Sequence, residues 1–92
     1  MIYCIAYDLN TPGKDYSALI EQIKTYNGWW HHLDSTWFVV SDKGVTEIRD
    51  HLGKYIDKND ELLVFSVTTG WAGLGFSERG FQWLKDYWPK NN

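Results

Sequence analysis

The chain has 92 residues, which is enough for a single domain over residues 1–92. Its formal net charge of −3 argues against a nucleic-acid binder that relies on a broad basic surface, since phosphate neutralisation needs clustered Lys and Arg. Aromatic residues make up 17% of the chain and compensate for the thin core of so small a domain.

The one cysteine, Cys4, excludes an intrachain disulfide and lies in an apolar run, so we expect a small buried hydrophobe in a reducing cytoplasm. No apolar run approaches the roughly 18 residues of a membrane span, and the N-terminus lacks a secretory signal pattern. We therefore expect a cytoplasmic protein without a membrane partner.

The apolar run from Ile2 to Tyr7 predicts a first strand, which Asp8 ends. Apolar groups on both faces of the first strand indicate a central strand that is covered on both sides.

An amphipathic helical period follows Asp15, the expected N-cap, and continues to Tyr26.

A tryptophan-rich β-hairpin is predicted next, with strands from Gly28 to Leu33 and from Thr36 to Ser41 around a turn at Asp34-Ser35. Trp29, Trp30, Trp37 and, further along, Trp71 are candidates for a platform on which bases stack. Because no Lys or Arg is interleaved with them, core packing and dimer contact are the favoured interpretation.

A second helix is predicted from about Val45 to Tyr55, with Gly44 as its N-cap and with Arg49 and His51 on its solvated face. A fourth strand follows from Glu61 to Thr68. The glycine-rich segment 69–75 lacks the spacing of a phosphate-binding P-loop. Ser77 is expected to cap a short last helix that Pro89 ends.

This order predicts an α+β fold, a ferredoxin-like β-α-β-β-α-β sandwich with a four-stranded antiparallel sheet and a short extra C-terminal helix. The strand order across the sheet would be fourth, first, third, second. Two helices can cover only one face of that sheet. The other face is expected to be covered by the C-terminal aromatic segment, by a second copy of the chain, or by both.

In this topology several polar residues fall at one rim of the sheet. They are Asp8, His31, His32, Asp34, Ser35, Thr36, Asp60 and Glu61. Asp8 and Asp34 offer the hard oxygen ligands that suit Mg²⁺ or Mn²⁺, and a neighbouring histidine would act as general acid or base. The structural alternative is that each aspartate forms a local turn or cap. The two histidines are adjacent, so only one points to a given face, and zinc-type ligand spacing is absent.

The string WWHHLDSTWFV at 29–39, with EIRDHL at 47–52 and NDELLVF at 59–65, resembles the SinR-like branch of a superfamily. That superfamily also holds the VapD toxins and the CRISPR-associated endoribonuclease of the spacer-acquisition complex. The likeness spans about residues 1 to 88. It implies a ferredoxin-like homodimer in which Asp8, at the end of the first strand, binds a divalent metal near the dimer interface for phosphodiester cleavage. The acidic charge departs from those relatives, which carry basic residues along helices and loops.

Three functions follow as hypotheses. The first is a Mg²⁺- or Mn²⁺-dependent endoribonuclease or nuclease, with Asp8 as metal ligand, His32 (or His31) and Asp34 as its catalytic partners and Ser35 as an orienting group. The second is a non-catalytic homodimer that binds or sequesters a small nucleotide, RNA or DNA. The third is a protein-interaction module in phage–host defence that uses an exposed aromatic face.

Overall fold

The computed structural model of the protein describes residues 1–68 and 70–88. The elements in chain order are β1 (Ile2–Asp8), α1 (Ser17–Ile23), β2 (Gly28–Leu33), β3 (Thr36–Val40), α2 (Val45–Gly53), β4 (Glu61–Val67) and α3 (Glu78–Tyr87). The four strands form one antiparallel sheet in the order β2-β3-β1-β4. The fold is α+β and compatible with the ferredoxin-like arrangement, so the predicted fold class and strand order are confirmed.

The main core lies between the first face of the sheet and the helices α1 and α2. Nine buried side chains form it: Tyr3, Ile5, Tyr7, Leu19, Ile23, Trp37, Val39, Ile48 and Leu52. The indole Nε1 of Trp37 donates a 2.9 Å hydrogen bond to the hydroxyl of Tyr7, so the largest core side chain has its polar atom paired. No helix in the described part of the chain is long and apolar enough to cross a membrane.

The ends of α1 differ from the prediction. Tyr16, and not Asp15, is the N-cap, although the Asp15 carboxylate accepts a 2.9 Å hydrogen bond from the backbone N–H of Ser17. The backbone N–H of Lys24 still bonds to the carbonyl of Ile20, four residues earlier, but those of Thr25 and Tyr26 bond to carbonyls three residues earlier. The helix therefore ends at Ile23 in a tighter, 3₁₀-type turn. Tyr26 still packs on the core from that turn.

α2 begins after Gly44 as predicted, and the Glu47 carboxylate accepts a 3.4 Å hydrogen bond from the backbone N–H of Gly44. The prediction that His51 belongs to the solvated face is wrong. Its Nδ1 lies 2.7 Å from the Tyr26 hydroxyl and its Nε2 lies 2.9 Å from Oε1 of Gln22, so it joins α2 to α1. Arg49 is exposed as expected and pairs with the adjacent Asp50.

The C-terminal segment covers the β2–β3 half of the second face of the sheet. The expectation that the C-terminal aromatic segment folds over this face is therefore confirmed for that half. The Trp30 indole Nε1 donates a 3.0 Å hydrogen bond to the carbonyl oxygen of Gly80 in α3. The ring of Phe38 meets that of Trp88 edge-on at 4.9 Å. Ser77 caps α3 as predicted, whereas Pro89 lies outside the described residues.

The β4 half of the second face is less covered. Leu63 is 60% exposed and Phe65 is 43% exposed. Cys4 lies at the centre of the same face, is buried, and has its pKa raised to about 11 by desolvation. The thiol is therefore protonated at neutral pH, as expected of a small buried hydrophobe rather than a nucleophile.

Candidate functional site at the rim of the sheet

Three of the predicted rim residues lie together. Asp8 at the end of β1 is the direct partner of Glu61 at the start of β4 in the antiparallel ladder. The backbone N–H of Tyr7 donates a 3.1 Å hydrogen bond to the carbonyl oxygen of Ser35, which holds the hairpin turn beside β1. These residues line a shallow depression of about 350 Å³, together with Ala6, Leu62 and Leu63.

The two carboxylates of this depression share one face of the sheet. Direct partners across an antiparallel ladder point to the same side, with Cβ atoms about 5 Å apart, and like charges at such positions repel. Both Asp8 and Glu61 are exposed, and neither side chain is paired with another described residue. A cation between them would remove the repulsion and gain two hard oxygen ligands.

Asp60 is a structural residue. Its carboxylate accepts hydrogen bonds from the Tyr16 hydroxyl (2.6 Å), from the backbone N–H groups of Asn10 (2.6 Å) and Asp57 (2.8 Å), and from the Thr11 hydroxyl (3.3 Å). Desolvation acts to raise the pKa of Asp60, but these hydrogen bonds outweigh it and lower the pKa to about 2. Asp60 therefore joins the 9–16 loop to the turn before β4 by hydrogen bonds. This agrees with the alternative interpretation, in which this aspartate has a structural role in a turn.

The histidines lie away from Asp8, because β3 separates β2 from β1. His31 stacks on Trp37 at 3.7 Å between ring centroids, on the first face, and its Nδ1 lies 3.2 Å from the carbonyl oxygen of Thr36. His32 lies on the second face against Trp30. The pairing register of β2 with β3 shifts between Trp30 and Leu33, so the strand is irregular at His31 and His32.

The four residues predicted to be catalytic are thus divided within one chain. Asp8 and Ser35 line the rim depression. His32 lines a separate cavity at the outer edge of β2. Asp34 is exposed at the hairpin turn and lines neither.

That second cavity measures about 580 Å³ and lies between β2 and the N-terminal turn of α3. It is lined by Trp29, Trp30, His31, His32, Ser77, Arg79 and Trp83. The sequence interpretation did not single out Arg79 and Trp83. One local signal was present: Gly80, a weak helix former, lies in the first turn of α3, and a glycine inside a helix favours a close approach of another element.

Among the described residues, no group of three or more His, Cys, Asp or Glu is placed to hold a metal ion. The Asp8–Glu61 pair offers two carboxylates per chain. Mg²⁺ is commonly held in proteins by one or two carboxylates, with water and substrate phosphate completing its shell, so the donor set fits that ion better than Zn²⁺.

The fold and the rim define a small α+β protein of ferredoxin-like order with an acidic pair at one end of its sheet. No protein-family model matches the chain, and comparisons with curated proteins and with solved structures also gave no match. The resemblance to the SinR-like branch therefore stays an expectation that rests on the sequence motifs.

Proposed function

We propose that this protein acts on nucleic acid as a homodimer, with a divalent-cation site for phosphodiester cleavage at the Asp8–Glu61 pair. The observation that carries the proposal is the pairing of two exposed carboxylates at one position of the β1–β4 ladder, where no other described side chain binds either of them. Mg²⁺ or Mn²⁺, when bound there, would neutralise charge on the scissile phosphate and polarise it. The Ser35 hydroxyl, in the same depression, would orient the substrate by hydrogen bonding.

Because the net charge of the chain is −3, a bound cation would also be needed to attract the substrate. A polyanionic substrate meets two carboxylates at the rim, and a divalent ion between them reverses the local charge. RNA or DNA would then be attracted to the one place where the cation is bound. The resemblance supports the same residue, since it implies a metal-binding role for Asp8.

The homodimer is proposed from the exposed apolar side chains of β4. Leu63 and Phe65 follow Glu61 at every second position, so all three lie on the second face of the sheet. A second copy packed on Leu63 and Phe65 would remove them from water and bring two Asp8–Glu61 pairs to one interface. An active centre shared by two chains would then have up to four carboxylates within reach of one substrate.

The test of catalysis is cleavage of single-stranded RNA with and without Mg²⁺ or Mn²⁺, by the wild type, by Asp8→Asn and by the control Asp42→Asn. Asp42 is an exposed aspartate just after β3, at the opposite end of the sheet. We expect cation-dependent cleavage that falls more than about 100-fold in Asp8→Asn and is unchanged in the control, because loss of even an outer partner of a metal ligand costs 10–100-fold. Circular dichroism would confirm that each variant is folded.

Equal cleavage by Asp8→Asn and wild type, or no cation-dependent cleavage by the wild type, would overturn the enzymatic part of the proposal. The dimer is tested separately, by molar mass from light scattering. Phe65→Glu should halve the mass while the melting temperature of the monomer fold is retained, and Lys58→Glu, in the exposed turn before β4, should leave the mass unchanged.

A further inference from the structure

A second cavity lies at the outer edge of β2, which is one edge strand of the sheet. The other edge strand is β4, and β3 and β1 lie between them. The walls of the cavity are β2 on one side and the first two turns of α3 on the other. It therefore belongs to a different part of the molecule from the Asp8–Glu61 rim. What it could bind follows from the chemistry of its lining.

The lining is rich in flat rings. Trp29 is 41% exposed, and Trp83 and His31 are half-buried. The imidazole of His31 lies parallel to Trp37, at an interplanar angle of 7°, so one face of the ring is covered and its plane is fixed. Rings held in this way stack on another planar ring with little further loss of conformational freedom.

The lining has basic residues and no acidic ones: Arg79 and two histidines line it, and no described Asp or Glu does. The Arg79 guanidinium forms no ion pair with a described residue, and neither nitrogen of His32 is hydrogen-bonded to one. Lys24 lies nearby, with its Nζ 5.3 Å from the Trp29 ring centroid. In a chain with more acidic than basic residues, such a cavity favours an anion.

The cavity is also preorganised at Gly80. A Cβ at this position would lie 3.3 Å from three atoms of the His32 ring, so the imidazole rests directly on the backbone of α3. The buried Trp30 indole is hydrogen-bonded to the carbonyl oxygen of the same residue. Glycine is a weak helix former, and its use here allows β2 and α3 to approach closely enough to form the cavity wall.

We propose that this cavity binds a planar aromatic ring that carries an anionic group, the chemistry of a nucleoside monophosphate. The base would stack against Trp29 and Trp83, and the phosphate would be bound by Arg79. A volume of about 580 Å³ is within the range of cavities that bind small molecules. The inference goes beyond the proposed cleavage and holds whether or not the rim is catalytic.

The experiment is isothermal titration calorimetry with AMP, adenosine, inorganic phosphate and a short oligoadenylate. The variants are Arg79→Gln and Trp83→Leu, with Arg49→Gln as the matched control, because Arg49 is exposed on α2 outside this cavity. We expect AMP to bind the wild type more tightly than adenosine or phosphate alone. Arg79→Gln should weaken AMP binding at least about tenfold and leave adenosine binding unchanged, because it removes only the charge-assisted contact. Trp83→Leu should weaken the binding of both AMP and adenosine, because it removes a ring on which the base would stack.

Tighter binding of the oligoadenylate than of AMP would identify the nucleotide as part of a strand, and the reverse would identify a free nucleotide. Absence of saturable AMP binding by the wild type, or equal effects of Arg79→Gln and Arg49→Gln, would overturn the proposal. Asp8→Asn should bind AMP as the wild type does. Loss of cleavage in that variant with AMP binding retained separates a failure of the rim from a failure of this cavity.

Discussion

Asp8 and Glu61 are direct partners across β1 and β4, so the rim of the sheet carries two negative charges at adjoining positions of one face. Nothing else among the described side chains neutralises either of them. The repulsion between the two carboxylates slightly lowers the stability of the cation-free protein, and a bound cation would raise it. The two effects on stability can be measured separately.

Glu61→Gln should raise the melting temperature slightly in a chelating buffer, since it removes a like-charge pair worth on the order of half a kcal/mol. Added Mg²⁺ or Mn²⁺ should stabilise the wild type and should no longer stabilise this variant. Differential scanning fluorimetry with and without the cation checks both. Glu21→Gln, at an exposed position of α1, is the control and should keep the wild-type response to the cation. An undiminished response in Glu61→Gln would show that the ion binds elsewhere.

Asp60→Asn should lower the melting temperature by several degrees at about pH 7, because the amide cannot accept all of the hydrogen bonds that the carboxylate accepts. The folded-state pKa of about 2 lies below the ordinary value of 3.8. The contribution of Asp60 to stability is therefore complete above about pH 4 and is lost as the pH falls toward 2. Melting curves across that range should show the wild type and the variant converging. A difference that stays constant down to pH 2 would contradict this assignment.

His51 should make the fold sensitive to mild acid. Desolvation, with smaller contributions from Lys54 and Lys43, lowers the pKa of His51 below its ordinary value. The unfolded chain then binds this proton at a higher pH than the folded chain does, so stability falls as the pH drops below about 6.5. Thermal melts at about pH 7 and pH 5 should differ by a few degrees more for the wild type than for His51→Gln. NMR titration of the ring protons would locate the pKa, and a value at or above the ordinary one would disprove the account.

Gly80→Ala and His32→Ala should be coupled. Alone, Gly80→Ala gains helix propensity but forces the His32 ring to move away from a contact of 3.3 Å. With His32 already replaced by Ala, the same substitution should stabilise the protein by about 1 kcal/mol, the usual gain from glycine to alanine in a helix. A double-mutant cycle in urea measures the difference. Additive effects would mean that the ring accommodates the methyl group without cost.

The fold was predictable because its elements are encoded locally. Hydrophobic periodicity located each strand and helix, and the short polar turn at Asp34-Ser35 located the hairpin. The helix ends were less accurate, since the 3₁₀-type turn that ends α1 depends on hydrogen bonds that no residue type signals clearly. The order of the strands followed from the connection rules.

The side-chain partners were not predictable in the same way. Three of the four partners of Asp60 lie 44 to 50 positions earlier in the chain, and Tyr26, in the turn after α1, meets His51 on α2. Such contacts depend on how the elements pack, so a carboxylate in a turn looks the same in the sequence whether it anchors a loop or binds a ligand. The shared end of Asp8, Ser35 and Glu61 was visible from topology, whereas the second cavity required the position of α3.

The burial of Cys4 has a practical use. The only thiol of the chain lies on the central strand β1, on the second face of the sheet, and a reagent in solution can reach it only when the side chains that bury it there move away. The rate at which a disulfide reagent consumes that thiol would therefore report transient opening of the native state under non-denaturing conditions. Nucleotides or divalent ions that hold the molecule closed would slow that reaction, without any introduced label.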